Sequence, residues 1–232
     1  MDKISIIIVT LNVEQYLQSC LDSISQQSYP NIEVVIMDGQ SSDGTLEIIK
    51  RNPDVVTVWK SEKDTGIYHA MNKAVKLATG KWIYFLGSDD VLLDDFSKLA
   101  NELKSADTIY YGSVLREGLK YYGYADAYRF AKNAVCHQAI IYPATVFSKY
   151  EFDEQYRTSA DYVLNMWTWK DPDYHWEFKD YILANFNHTG VSANKDPKLE
   201  KDMLKLVFKN FGLLIWLRFA FKKLKAGEFF HS

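Results

Sequence analysis

Lys81-Trp82-Ile83-Tyr84-Phe85-Leu86-Gly87-Ser88-Asp89-Asp90 sets an apolar run of strand formers against a turn that ends in two adjacent carboxylates. A short apolar run bounded by turn residues reads as a strand covered on both faces. The two acids then stand at its exit. Carboxylate oxygens are hard ligands suited to Mg²⁺ or Mn²⁺, and these ions in turn bind phosphate oxygens. A helix N-cap is the other reading of such an Asp, because residues 92–103 have helical character.

Toward the N-terminus the same pattern repeats. Residues 4–9 form a continuous β-branched run, after which Leu17, Cys20, Leu21 and Ile24 recur at helical spacing. Residues 32–37 read as a second strand ending at Asp38, 44–50 as a short helix and 55–59 as a third strand. Met71, Ala74, Val75 and Ala78 mark another helix, with Gly80 as its C-terminal cap. Strand-helix alternation predicts an α/β chain with right-handed crossovers and a mostly parallel central sheet flanked by helices. Ligands of such sheets bind beyond the carboxyl ends of the strands, where Thr10, Asn12, Asp38 and Asp89 all fall.

The chain has 232 residues, 47% hydrophobic and 15% aromatic, enough for a core in one domain or one domain with an appendage. Its net charge of −3 supplies no basic field to recruit nucleic acid. Cys20 and Cys136 have apolar neighbours and form no metal-type pair, so a reducing compartment without disulfides is expected. The first apolar run is too short and too β-branched for a signal sequence, and no stretch of 18 apolar residues follows. A cytoplasmic protein is expected.

Asp38-Gly39-Gln40-Ser41-Ser42-Asp43-Gly44-Thr45 is rich in turn formers and can be a plain connection. Its first carboxylate, directly after a strand, can also accept hydrogen bonds from a nucleotide base, with Asp43 capping the next helix. Thr10 and Asn12 either touch the same ligand or shape the turn before Glu14. Glu62-Lys63-Asp64-Thr65-Gly66-Ile67-Tyr68 leads into a helix whose N-terminus and Lys73 can face a diphosphate, with Asp64 on ribose or base. A solvated surface charge is the other reading of Lys73.

Taken together, residues 5–12, 38–45, Asp64-Thr65-Gly66-Ile67-Tyr68 with Met71-Asn72-Lys73, and Gly87-Ser88-Asp89-Asp90 resemble the inverting family 2 glycosyltransferases of GT-A fold. The resemblance covers about residues 3 to 195 and is strongest before residue 92. It implies the GT-A nucleotide-diphospho-sugar transferase fold. It also implies nucleotide binding by Thr10, Asn12, Asp38 and Asp64, with Lys73 and Ser88 beside them, and a metal–diphosphate site at Asp89 and Asp90. The chain departs from the family's Asp-x-Asp signature by placing Gly87 where the first acid often stands.

Thr158-Ser159-Ala160-Asp161-Tyr162-Val163-Leu164 resembles the segment that supplies the family's catalytic base, which makes Asp161 the base; a helix cap is the alternative. An attacking hydroxyl must lose its proton, and one placed carboxylate suffices for that. A departing nucleoside diphosphate is stabilised by the metal, so no second protein acid is required. Ala134-Val135-Cys136-His137-Gln138-Ala139 resembles a segment beside donor sugar and acceptor, where His137 and Gln138 orient hydroxyls; otherwise His137 is a core histidine. Residues 186–192 resemble the loop that closes over the diphosphate, with His188 either a metal ligand or a surface histidine.

A catalytic domain over 1–195, its nucleotide half about 1–92 and its acceptor half about 93–195, is followed by a helical tail over 196–232. Pro197 opens that helix. Large aromatics punctuated by lysines suit an amphipathic helix lying on an anionic leaflet, the inner face of the membrane. The alternative is packing on the sheet or at a homodimer interface. The expected activity is metal-dependent inverting transfer from a nucleotide-sugar donor, UDP-linked by preference, to a saccharide or lipid-linked saccharide, in surface polysaccharide synthesis. A sugar-nucleotide pyrophosphorylase is one rival, but Leu11-Asn12-Val13-Glu14 lacks its Gly-rich, Arg-containing loop. A binding module without transfer activity is the other.

Overall fold

Four runs of the first half pair in parallel: β1 (Ile4–Thr10), β2 (Ile32–Asp38), β3 (Val58–Ser61) and β4 (Trp82–Phe85), in the order β3-β2-β1-β4. Helices α1 (Leu17–Ser25), α2 (Thr45–Arg51) and α3 (Ile67–Val75) make the crossovers. The computed structural model describes residues 1–187 and 195–225. Beyond β4 come β5 (Val91–Leu92), α4 (Asp95–Ala100), β6 (Thr108–Arg116), β7 (Leu119–Tyr121) and α5 (Ala127–Lys132). A 3₁₀ turn (His137–Ala139), β8 (Ile140–Pro143), α6 (Thr145–Lys149), α7 (Ala160–Lys170), β9 (His175–Phe186) and α8 (Pro197–Lys225) complete it. The sheet runs on as β4-β8-β6-β9-β5, with β7 on β6; β8 is antiparallel to both neighbours, while β6 and β9 run parallel. The N-terminal half is wholly parallel, the C-terminal half combines antiparallel pairs with the parallel β6–β9 pair, and the whole is a mixed sheet.

Ile4, Ile6, Ile8, Val35, Ile36 and Phe85 are shut off from water, each such side chain contributing about 1.5–3 kcal/mol. Ser5 interrupts this run for a reason. Its hydroxyl donates to Glu33 and accepts from Gly80 N at 2.8 Å, while Thr79 donates to Glu33 from both N and Oγ1. Gly80 therefore does not cap α3, which ends at Val75. A Cβ at position 80 would lie 2.6 Å from Ser5 N, so close approach of two backbones demands glycine there.

Two further element boundaries move. β3 starts at Val58 rather than 55, because Val55 N and Val56 N both fold back onto Asn52 O. The helix expected from 92 starts at Asp95, because Val91 and Leu92 pair with Asn185 and Ala184 of β9.

Asp196 Oδ1 accepts from Lys198 N and Leu199 N and so caps α8. Gly212, at φ 77°, breaks α8 into two arms. The first arm buries Met203, Leu206 and Val207 and packs on helices α5 and α7 rather than on the sheet itself. Past the break, Phe219 is buried and the Arg218 guanidinium sits 3.7 Å over the Tyr128 ring, but Leu214, Leu217, Phe221 and Leu224 face outward. No described helix is long and apolar enough to cross a membrane.

Candidate active site

The carboxyl ends of β1 and β2 converge on Asp38, which is fully buried. Its carboxylate accepts from Thr10 Oγ1 (2.9 Å), Ser41 N (3.0 Å), Ser41 Oγ (2.5 Å) and Ser61 Oγ (2.7 Å). Burial alone would push this carboxyl up; the bonds from Ser41, Ser61 and Thr10 outweigh it and hold the group below its ordinary value. Asp38 and Thr10, expected beside a base, stand together in this network at the strand ends. Both are turned into the protein, where they fix the loop around Ser41. Asn12, in left-handed backbone at φ 52°, accepts from Ser42 N at 2.8 Å through its side chain and braces the same loop.

Gly39 follows Asp38, and a Cβ there would stand 2.5 Å from Asp64 Oδ2. Asp64 thus occupies the space above the Gly39 backbone, next to the exposed side chain of Leu11. Its other oxygen accepts from Gly66 N at 2.9 Å. Lys73 lies in the last turn of α3 and reaches back to the segment before Asp64, paired with Glu62 at 2.9 Å and donating to Lys63 O at 2.9 Å.

After β4 the acid pair divides. Asp90 is buried and accepts from Gln138 Nε2 (2.6 Å), Gly87 N (3.2 Å) and Asn187 N (2.8 Å). Burial pushes its carboxyl up to about 6, with Asn187 and Gln138 opposing and Asp89 adding to the rise. Asp89 lines a cleft with Glu117, Gly118 and Asn187, and burial pushes it up as well. Ser88 is buried between them and Gly87. A Cβ at Gly87 would collide with the Asp90 carboxylate, so the inward turn of Asp90 excludes an acid at position 87. A carboxylate raised by burial and open to a cleft fits a hard cation whose other ligands come from phosphate and water. Among the described residues no group of three His, Cys, Asp or Glu side chains could hold a metal by itself. His188 lies outside the described residues.

Asp161 begins α7, and its carboxylate bonds Tyr162 N (2.8 Å) and the hydroxyl of Tyr68 (2.7 Å), both to Oδ1. His137 Nδ1 is 3.3 Å from Oδ2. Gln138 is committed to Asp90, and its carbonyl accepts from the buried Tyr84 hydroxyl. Asp161, His137, Arg116 and Tyr121 line one cleft, Asp89 lines its neighbour, and Phe186 lines both.

Residues 5–178 match the family described as Glycosyl transferase family 2. The chain belongs to that family. A PGL/p-HBAD biosynthesis glycosyltransferase of Mycobacterium tuberculosis is 35% identical over 213 residues, covering 87% of this chain and 82% of the relative. An Escherichia coli enzyme, the UDP-Glc:α-D-GlcNAc-diphosphoundecaprenol β-1,3-glucosyltransferase WfaP, is 34% identical over 109 residues, 47% of this chain and 43% of its own. Among solved structures, S. aureus TarS shares the fold at 18% identity with a TM-score of 0.73, over 99% of this chain and 75% of TarS. TarS has also been solved with UDP-GlcNAc, at 19% identity, TM-score 0.70, over 90% of this chain and 67% of that one. The GT-A fold and a glycosyltransferase activity in glycan synthesis follow.

Several residues of this family 2 site carry no sequence signal by themselves. Tyr68 stands in a motif segment, yet its bond to Asp161 spans 93 positions. Arg116 and Tyr121 come from the β6–β7 hairpin, whose exposed, irregular sequence marks no function.

Proposed function

We propose that this chain moves a sugar from a UDP-linked donor to a hydroxyl of a saccharide or lipid-linked saccharide, with inversion, in surface polysaccharide synthesis. The observation that carries the reading is Asp161, a carboxylate held by Tyr68, turned to a cleft with His137, and adjacent to the cleft of Asp89.

Asp161 takes the proton of the acceptor hydroxyl as its oxygen attacks the anomeric carbon of the donor sugar. Attack opposite the departing diphosphate inverts that carbon. Tyr68 fixes one carboxylate oxygen, which leaves the other for the proton. His137, at the wall of the cleft, orients sugar hydroxyls, while Gln138 keeps Asp90 turned inward. Asp64, above Gly39, meets base or ribose on a loop stiffened by Asp38, Thr10 and Asn12. Asp89 would hold Mn²⁺ or Mg²⁺, which when bound neutralises the diphosphate and eases its departure. TarS, of the same fold, has been solved with UDP-GlcNAc, and WfaP is named for UDP-Glc, which favours uridine.

The second arm of α8 supports a reading in which the enzyme attaches to the cytoplasmic face of a membrane. Residues 213–225 contain Arg218, Lys222, Lys223 and Lys225 and no acid, beside an outward apolar stripe. Lys222 also crowds Lys132 and pushes its ammonium down. Two copies meeting here would bring like charges together, whereas an anionic leaflet neutralises them.

The test is a panel of nucleotide sugars scored for Mn²⁺-dependent thermal stabilisation. A UDP-sugar should stabilise the protein and EDTA should remove the effect; stabilisation by no nucleotide sugar overturns the reading.

A further inference from the structure

Arg116 ends β6 with its backbone paired on both sides, to Phe186 of β9 and to Leu119 of β7. The next two residues, Glu117 at φ 52° and Gly118 at φ 75°, close a tight hairpin of left-handed residues. The root of the side chain is therefore fixed. Its guanidinium lies 5.4 Å from the centre of the Tyr121 ring, a cation–π contact that holds the planar fork at the cleft wall. Among the described residues, no carboxylate lies within ion-pair distance of Arg116.

The surroundings make that unusual. Arg116 is half-buried and lines the cleft of Asp161 and His137, where it is the one permanent cation among the described lining residues. A half-buried guanidinium is costly without a counter-charge, and its planar fork matches a phosphoryl group in a bidentate manner. The cleft of Asp161 receives the nucleophile, so an anion beside it belongs to the acceptor. The donor diphosphate is assigned to Asp89, which lines the neighbouring cleft together with Glu117 and Gly118.

We propose that Arg116, backed by Tyr121, is a subsite for a phosphoryl group of the acceptor, so that the enzyme takes a phosphate-bearing saccharide in preference to a neutral one. This rests on the transferase reading given above. It adds the acceptor's chemical class, and it assigns the β6–β7 hairpin to acceptor selection.

Calorimetric titration of the UDP- and Mn²⁺-loaded protein with glucose 1-phosphate, glucose and inorganic phosphate tests it. Glucose 1-phosphate should bind roughly tenfold more tightly than glucose, as expected for a charge-assisted hydrogen bond. Arg116→Gln should erase that difference while its melting temperature and UDP affinity stay unchanged. Equal binding of glucose 1-phosphate to Arg116→Gln and the natural protein overturns the inference. Binding of glucose 1-phosphate to the UDP-free protein that is lost once UDP is loaded overturns it too, since the anion would then be the donor's. Inorganic phosphate binding as well as the sugar phosphate would mark a non-specific anion site and also overturns it. Intact UDP binding with any of these failures refutes the acceptor subsite alone; absence of UDP binding to the natural protein refutes the donor reading as well.

Discussion

The Tyr68 hydroxyl donates to Asp161 Oδ1 at 2.7 Å, joining the helix that follows the Asp64 loop to the start of the helix that carries the proposed base. Tyr68 is buried, and burial with the nearby Asp161 charge pushes its phenol well above the ordinary range. It remains a donor at every working pH. The bond also orients the carboxylate, because Tyr162 N shares the same oxygen and Oδ2 is left toward His137 and the cleft.

Removal of that hydroxyl should therefore act on turnover. For Tyr68→Phe we expect kcat to fall roughly tenfold, the effect of one lost hydrogen bond to a charged group, with donor KM unchanged. Asp161→Asn should lower kcat on the order of 10²- to 10⁴-fold while UDP still binds. Steady-state kinetics with donor and acceptor varied separately check both; a Tyr68→Phe enzyme with a raised donor KM and normal kcat would assign the residue to the donor site.

Asp89 and Asp90 should separate under substitution. Asp90→Asn puts an amide NH₂ where a buried oxygen now accepts, so one donor among Gln138, Gly87 and Asn187 loses its partner. The expected cost is about 1–3 kcal/mol, seen as a lower melting temperature. Asp89→Asn should leave the melting temperature nearly unchanged and abolish the Mn²⁺-dependent part of UDP affinity. Denaturation curves and UDP titration with and without Mn²⁺ on both variants make the comparison; the opposite pattern would make Asp90 the ligand.

The sequence conveys the parallel half of this fold well because each of its strands is a local event. Ile4–Thr10 and Ile32–Asp38 are β-branched runs that state their burial in their own composition. The second half pairs residues far apart, and no local signal announces that Val91 meets Asn185. The site shows the same division. Strand-end acids are visible from spacing, but their orientation is decided by partners elsewhere in the chain. Asp38 is turned inward by Ser41 and Ser61, Asp90 by Gln138, and Lys73 is engaged by Glu62. Gly87 illustrates the limit. In sequence it is a missing acid, whereas in the structure it is the space that the Asp90 carboxylate needs.

Asp38 should also contribute to acid sensitivity. Its folded carboxyl is held below its ordinary value because hydrogen bonds outweigh burial. Such a group adds stability above its unfolded pKa, about 3.9, and loses it as pH falls through the lower folded value. Asp38→Asn should thus be less stable than the natural protein near neutrality, by about 1–3 kcal/mol. The gap should narrow as pH drops below about 4, where the unfolded chain's carboxylate takes up its proton before the folded one does. Urea melts across that range test this; a gap independent of pH would mean that the ionised form has no special role.

The outward stripe of α8 leads to the last expectation. Leu214, Leu217, Phe221 and Leu224 are 83%, 49%, 58% and 51% exposed and recur at intervals of three, four and three residues, one face of a helix. The neighbouring cations have no acidic counterpart among residues 213–225. Apolar insertion and electrostatic attraction then act on the same surface, each weak by itself. Vesicles containing anionic lipid should retain the protein, and neutral vesicles should not. Leu217→Asp together with Phe221→Asp should abolish retention without lowering the melting temperature, because neither side chain supports the core. Raised salt should weaken the natural protein's retention, as screening of surface charge requires. Equal retention of the double variant would show that this stripe does not enter the bilayer.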